Sequence, residues 1–163
     1  MIVRPATESE LRLVRHSWRK SWRHRREHTA PNRHGNGRVF LWGPGALTQT
    51  AAAAYLETFI RATATTGSVL VAAVEAPPDE PGCDQPLAWI CRDIVGAEGS
   101  ELCAVHFAYT VRDARRKGLA RLLLKYVMRE AETLGVPIEA THINGRGAAL
   151  MDSVKHEDSR NQG

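Results

Sequence analysis

Six residues, Arg115-Arg116-Lys117-Gly118-Leu119-Ala120, stand between two segments whose patterns demand different secondary structure, and this juncture constrains the fold more than any other feature. Residues 102–111 (LCAVHFAYTV) are rich in aromatic and β-branched types, the make-up of a buried strand. Leu119, Leu122, Leu123, Tyr126, Val127, Ala131 and Leu134 then recur at i, i+3, i+4 spacing. That period predicts a helix with one apolar face, ending at Gly135. A strand, a short basic turn and a helix leave several backbone N–H groups without intrahelical partners, aligned with the helix dipole. Such an arrangement binds phosphate. Gly118 lets an anion approach the backbone closely, and Ala120 keeps a nearby position small for the same reason.

The rest of the chain supplies elements around this juncture. Met1 to Arg4 reads as a short strand stopped by Pro5, and Thr7-Glu8-Ser9-Glu10 offers a helix N-cap with acids in the first turn. Leu11, Val14, Trp18 and Trp22 fall on one face of that helix, with Arg12, Arg15, Arg19, Arg23 and Arg26 on another. Residues 29–46 are dense in Gly, Pro and Asn and read as a long loop. A second helix is predicted over 48–64, and strands over 68–76 and 87–94, separated by a polar turn at 77–86. Gly96 to Gly99 turn the chain into the strand at 102, and a further strand (136–143) precedes a last helical stretch. The order is β-α-α-β-β-β-α-β-α. Residues 1–156 make a single domain on this reading, with 157–163 a polar tail.

Composition bounds the setting. No window approaches the roughly 18 consecutive apolar residues of a membrane span, and the first residues lack a signal-peptide pattern. Cys83, Cys91 and Cys103 form no C-x-x-C pair, which suggests neither a disulfide framework nor a zinc ribbon, and they read as core residues. A cytoplasmic protein with reduced thiols is expected. His24 and His28 stand at i, i+4, but nothing completes a metal site around them and no metal is expected. Charge is unevenly spread: residues 11–40 hold nine Lys/Arg against one acid, Glu27, so that segment carries +8 and the remainder −4.

Arg115-x-x-Gly118-x-Ala120 in its strand-turn-helix setting resembles the (Q/R)-x-x-G-x-(G/A) motif of the GNAT superfamily, the GCN5-related N-acetyltransferases. The resemblance covers most of residues 2–156 and implies an α/β (α+β) fold. Its sheet would be mixed and mostly antiparallel, flanked by helices, with the fourth and fifth strands parallel and splayed where acetyl-CoA enters. It implies that Arg115, Arg116, Lys117, Gly118, Leu119 and Ala120 hold the coenzyme pyrophosphate. A backbone N–H among Ala108, Tyr109, Thr110 and Val111 would polarise the thioester carbonyl, and Asn144 would lie near the pantetheine arm. The chain departs from the family twice. The last helix carries no tyrosine to protonate the departing thiolate; Met151 or Ser153 takes that place, and only the serine can hydrogen-bond. About seven residues follow that helix, too few for the family's two further strands. The C-terminal edge of the sheet is therefore shortened, to be blunted, covered by the long loop, or paired in a homodimer.

Amide formation from a thioester needs a base for the amine proton, and His106 and Tyr109 stand on the fourth strand near the expected acetyl position. Histidine changes charge near neutral pH, which suits a base; a strand histidine satisfied by a neighbour is the other reading of His106. Tyr109 reads equally as packing, and Glu75 is a third candidate base or a solvated strand-end acid. The +8 segment borders the acceptor side of a GNAT groove, which makes Arg15, Trp18, Arg19, Trp22 and Arg23 candidates for binding an anionic acceptor, a nucleic acid or an acidic protein. The tryptophans also share the leucine face, as core residues would. Ser17-Trp18-x-x-Ser21-Trp22 and Val105 to Tyr109 look like short bacteriophage-encoded GNAT-like proteins. Two functions follow: an acetyl-CoA-dependent N-acetyltransferase, or a catalytically silent GNAT-fold module that binds nucleic acid or a protein through the basic helix.

Overall fold

The computed structural model describes residues 1–28, 49–76, 79, 84–141 and 149–154, excluding the side chains of 22–28, 49–53 and 55. Strand β1 (Ile2–Pro5) leads into helix α1 (Glu8–His28) through a capping box. The Thr7 N–H donates to Glu10 Oε2 at 2.7 Å, and the Glu10 N–H donates to Thr7 Oγ1 at 3.4 Å. Arg4 grips the same carboxylate with two bonds of 2.8 and 2.9 Å and reaches Asp84 at 3.1 Å, tying β1 to α1 and to the approach of a later strand. Burial alone would raise the Glu10 carboxyl; the hydrogen bonds from Arg4 and Thr7 outweigh it and hold the group below the usual carboxylate range.

Helix α2 (Gln49–Thr63) follows, then strands β2 (Val69–Val74), β3 (Gln85–Val95) and β4 (Leu102–Thr110). A single 3-10 turn (Arg112–Ala114) precedes helix α3 (Leu119–Leu134) and strand β5 (Ile138–Ala140); residues 149–154 are helical. The sheet order is β1-β2-β3-β4-β5, antiparallel across the first four strands and parallel between β4 and β5. Both the order and the directions agree with the expected mixed sheet. Two details differ. The 3-10 turn carries no hydrophobic period that a sequence would display, and β5 pairs over only three residues, against an expected 136–143. The loop at 29–46, Asn144 and the tail lie outside the described residues.

Each face of the sheet buries its own cluster. Helix α3 sets Leu119, Leu123, Leu124, Val127 and Ala131 against Ile90, Cys103 and Val105, and Met151 and Val154 join them from the last helical segment. On the other face Leu11, Val14 and Trp18 of α1 and Ile60 of α2 cover Val69, Val71, Trp89 and Cys91. At about 25 cal/mol per Å² of apolar area, each fully buried large side chain here contributes roughly 1.5–3 kcal/mol. Trp89, 1% exposed, satisfies its one polar atom by donating to Ser17 Oγ at 3.1 Å.

Candidate functional site

The site begins with one inserted residue. Arg92 pairs with Val105 and Cys91 with Phe107, so His106 has no partner on β3 and forms a β-bulge. The insertion inverts everything that follows along β4. Before it, positions 103 and 105 turn their peptide groups to β5: Cys103 N–H donates to Pro137 O (2.8 Å) and Val105 O accepts from Thr141 N–H (3.0 Å). Six residues after Val105 an unbroken strand would still face β5, yet the Val111 N–H donates to Leu87 O at 2.9 Å. Alternation then aims the peptide groups of Ala108 and Thr110 at the β5 side. Pairing with β5 is described as far as Val105 and Ala140, and no described residue pairs with the peptide groups of Ala108 and Thr110 on that side. Side chains invert too: Cys103 and Val105 pack under α3, whereas Phe107 and Tyr109 pack under α1 and α2.

Just past this edge the chain forms the basic turn. Arg116 has φ +63° and Gly118 φ +79°, two left-handed residues flanking Lys117 at the start of α3. The result is a row of main-chain donors. Arg115 N–H is used by Arg112 O and Leu122 N–H by Gly118 O, but the N–H groups of Arg116, Lys117, Gly118, Leu119 and Ala120 have no acceptor among the described residues. Five such donors at a helix N-terminus, with exposed Arg116 and Lys117 beside them, form a concave anion site. A Cβ built on Gly118 would meet nothing within 4 Å. Glycine is favoured there for its left-handed φ. Holding Arg116 in the same region costs on the order of 1 kcal/mol. Arg115 turns away from the row: its Nε donates to Thr110 O at 3.3 Å and its guanidinium lies 5.9 Å from the centre of the Tyr109 ring.

The chain matches no protein-family model and no curated protein. Solved structures do share its architecture. A GCN5-related N-acetyltransferase from Ralstonia eutropha JMP134 superposes with a TM-score of 0.59 at 18% identity, over 93% of this chain and 89% of that one. A predicted acetyltransferase from Clostridium acetobutylicum, solved with acetyl-CoA, gives a TM-score of 0.53 at 13% identity, over 93% and 86%. The BH1408 protein from Bacillus halodurans gives 0.54 at 14%, over 95% and 92%. This chain has the GNAT fold.

Within that GNAT fold the remaining expected residues fall into separate places. His106 is buried at the bulge: Nδ1 lies 3.1 Å from Thr141 Oγ1, next to the last described β4–β5 pair, and its ring packs edge-on to Phe59 of α2, 5.5 Å between centroids. Tyr109 stacks on Trp89 at 5.0 Å and lies near Phe107 at 6.3 Å, part of an aromatic layer facing α1. Trp18 belongs to that layer. It stacks flat on Phe107 at 5.0 Å and is 5% exposed, which makes it a core side chain and leaves it no face to offer a ligand. Glu75 sits six residues along β2 from Val69, the residue level with Phe107, hence about 20 Å away along the strand direction; it is exposed and pairs with the N-terminal amine at 3.9 Å. Ser153 accepts from Arg121 at 3.1 Å and donates to Leu150 O at 3.0 Å, beside the first turn of α3, and Met151 is buried. Of the four positions from Ala108 to Val111, Ala108 and Thr110 turn their peptide groups to the β5 side and the Val111 N–H, just past β4, is committed to Leu87 O.

The arginines of α1 make a second feature. Arg12, Arg15 and Arg19, with Arg61 from α2, line a cleft of about 310 Å³ at the seam between the two helices. Glu57 takes two hydrogen bonds from Arg19 and one from Arg61. Those bonds, Arg19's first, pull its carboxyl down to about 2. The side chains of Trp22 and Arg23 lie outside the description. Among the described residues no group of three or more His, Cys, Asp or Glu could hold a metal, and no helix is long and apolar enough to cross a membrane.

Proposed function

We propose that this chain is an acetyl-CoA-dependent N-acetyltransferase acting on a primary amine of an anionic acceptor. The observation that carries the reading is the row of five main-chain donors at Arg116–Ala120 that have no acceptor among the described residues, immediately beyond the β4 edge on its β5 side. A pyrophosphate needs such a row, and an extended pantetheine arm needs such a strand edge to hydrogen-bond along. The coenzyme supplies an acetyl group activated as a thioester.

In this reading the amides of Arg116 to Ala120 hold the pyrophosphate, with Arg116 and Lys117 adding charge. Ala108 and Thr110 turn their peptide groups to the arm and to the thioester carbonyl, whose developing negative charge a fixed N–H stabilises. Asn144 contributes near the arm. As the amine nitrogen bonds to the acetyl carbon and the carbon–sulfur bond breaks, the amine loses a proton and the thiolate gains one. His106, oriented by Thr141, takes the amine proton directly or through a water. The thiolate is protonated from solvent, because the Ser153 hydroxyl is engaged at both ends. That same engagement favours the second reading, a silent module that binds without transfer.

The test is acceptor-dependent release of coenzyme thiol, with mass spectrometry for the acetyl increment on pools of nucleic acid, peptide and small amines. Acetylation of one pool is expected. Thiol release no faster than in acceptor-free controls, in every pool, refutes the enzyme reading and leaves the silent module.

A further inference from the structure

We infer that the α1–α2 seam is a phosphate-binding groove, formed by Arg12, Arg15, Arg19 and Arg61 and separate from the turn at Arg116–Ala120. This deepens the acceptor half of the function proposed above and rests on that half alone. The groove is charge-unbalanced as built. Among the described residues, four guanidinium groups line one cleft and one carboxylate, Glu57, pairs with them, an excess of three positive charges. Surfaces usually intersperse the two signs, and like charges this close repel one another. Two of the four make no ion pair with a described residue. Arg12 is exposed and makes no ion pair or hydrogen bond with a described residue. Arg15 is anchored by Nη2 to Ala64 O at 2.9 Å, while its Nε–H is buried with no acceptor among the described residues. A buried N–H without an acceptor is destabilising, so an arriving oxyanion is met by a donor already desolvated and already oriented.

The chemistry selects phosphate. A phosphate group brings up to two negative charges and several acceptor oxygens, matching a cluster with an excess of three positive charges and forked N–H donors. A carboxylate brings one charge and two oxygens. The cleft volume falls at the small end of ligand sites, about 300–1,000 Å³, enough for one phosphate and its immediate attachments. The source is a phosphorylated small molecule or the backbone of a nucleic acid, and the backbone fits the basic excess of residues 11–40.

The experiment uses the whole chain and two probes: a fluorescein-labelled single-stranded 16-mer read by anisotropy over a salt series, and inorganic phosphate read by the thermal midpoint. Arg12→Gln should weaken the 16-mer several-fold, and Arg12→Gln with Arg15→Gln at least tenfold, flattening the log K against log salt slope by about 1.4 for two lost contacts. Arg15 also ties α1 to α2, so the Arg12→Gln single variant carries the test if the double variant unfolds. Glu57→Gln should tighten binding, because it frees Arg19 and Arg61; a merely structural role for Glu57 predicts the opposite. Response to phosphate alone, lost in Arg12→Gln, supports the groove with a small ligand as its source. Affinities for both probes that ignore all three substitutions overturn the inference. Acetyl-CoA titration of the same variants should be unchanged, which separates failure of the groove from failure of the acetyl-transfer reading.

Discussion

Gly118 and Gly135 make a matched pair for testing the turn. Both adopt left-handed backbone, φ +79° at the start of α3 and +68° at its end, and a Cβ on either would meet nothing within 4 Å. Alanine at either site therefore carries the same penalty, roughly 1 kcal/mol of left-handed strain after the stiffer unfolded chain offsets part of it. For a chain of 163 residues that lowers the thermal midpoint by about 2–4 °C in both variants. Only Gly118 lies within the row of five N–H groups that have no acceptor among the described residues. Blocking one charge-assisted hydrogen bond there costs about 1.5–3 kcal/mol, so Gly118→Ala should bind acetyl-CoA roughly 10- to 150-fold more weakly. Gly135→Ala should bind like the parent. Scanning calorimetry reads the first quantity and titration calorimetry the second. Equal loss of stability with equal, unaltered affinity in the two variants would refute the claim that the turn holds the coenzyme.

Other expectations follow from the same geometry. His106→Asn, which keeps a hydrogen-bonding atom toward Thr141, should lower the transfer rate by about 10²–10⁴ with acetyl-CoA affinity retained; a rate within twofold of the parent would remove His106 from the chemistry. Trp18→Ala should cost about 3–5 kcal/mol because the ring is buried against Phe107 and Phe59; an unchanged melting midpoint would return Trp18 to the surface. Glu57 has its folded-state carboxyl depressed from 4.5 to about 2, so its stabilisation is complete above pH 4.5 and disappears as the pH falls toward 2. Its side chain is 32% exposed, and solvent screening holds the contribution to about 1 kcal/mol. Glu57→Gln should lose that amount at pH 7 and nothing at pH 2 in urea titrations; an equal loss at both would contradict the ion-pair origin. Burial pushes the Cys91 thiol up to about 12, so in a Cys83→Ser background it should resist iodoacetamide until the chain unfolds, and labelling of folded protein would dispute the packing of β3.

What the sequence disclosed divides along physical lines. Periodic burial writes itself into residue order, so the strand at 102–111, the helix at Leu119–Leu134 and the Thr7–Glu10 cap appear where their patterns place them, although Tyr126 and Leu134, expected on the helix's apolar face, are 45% and 56% exposed and Leu124 is buried instead. The turn could be read because an anion site there requires a left-handed glycine and basic neighbours, both visible as letters. The bulge at His106 left no such trace. One extra residue in a strand changes no composition and interrupts no period strongly, yet it decides which peptide groups face the β5 side. Trp18 was ambiguous for a related reason: the helix face toward core and the face toward ligand differ by only two adjacent residues, Trp18 and Arg19, one buried and one lining the cleft. The role of Glu57 was unreadable, since it depends on two arginines, one of them 38 positions away.

The most direct test of the central claim is a backbone amide titration with acetyl-CoA, followed by two-dimensional nitrogen–proton NMR. The account predicts that the amides of Arg116, Lys117, Gly118, Leu119 and Ala120 shift most, with Ala108 and Thr110 next. No shifts at millimolar acetyl-CoA, or shifts confined to Arg12, Arg15, Arg19 and Arg61, would contradict it.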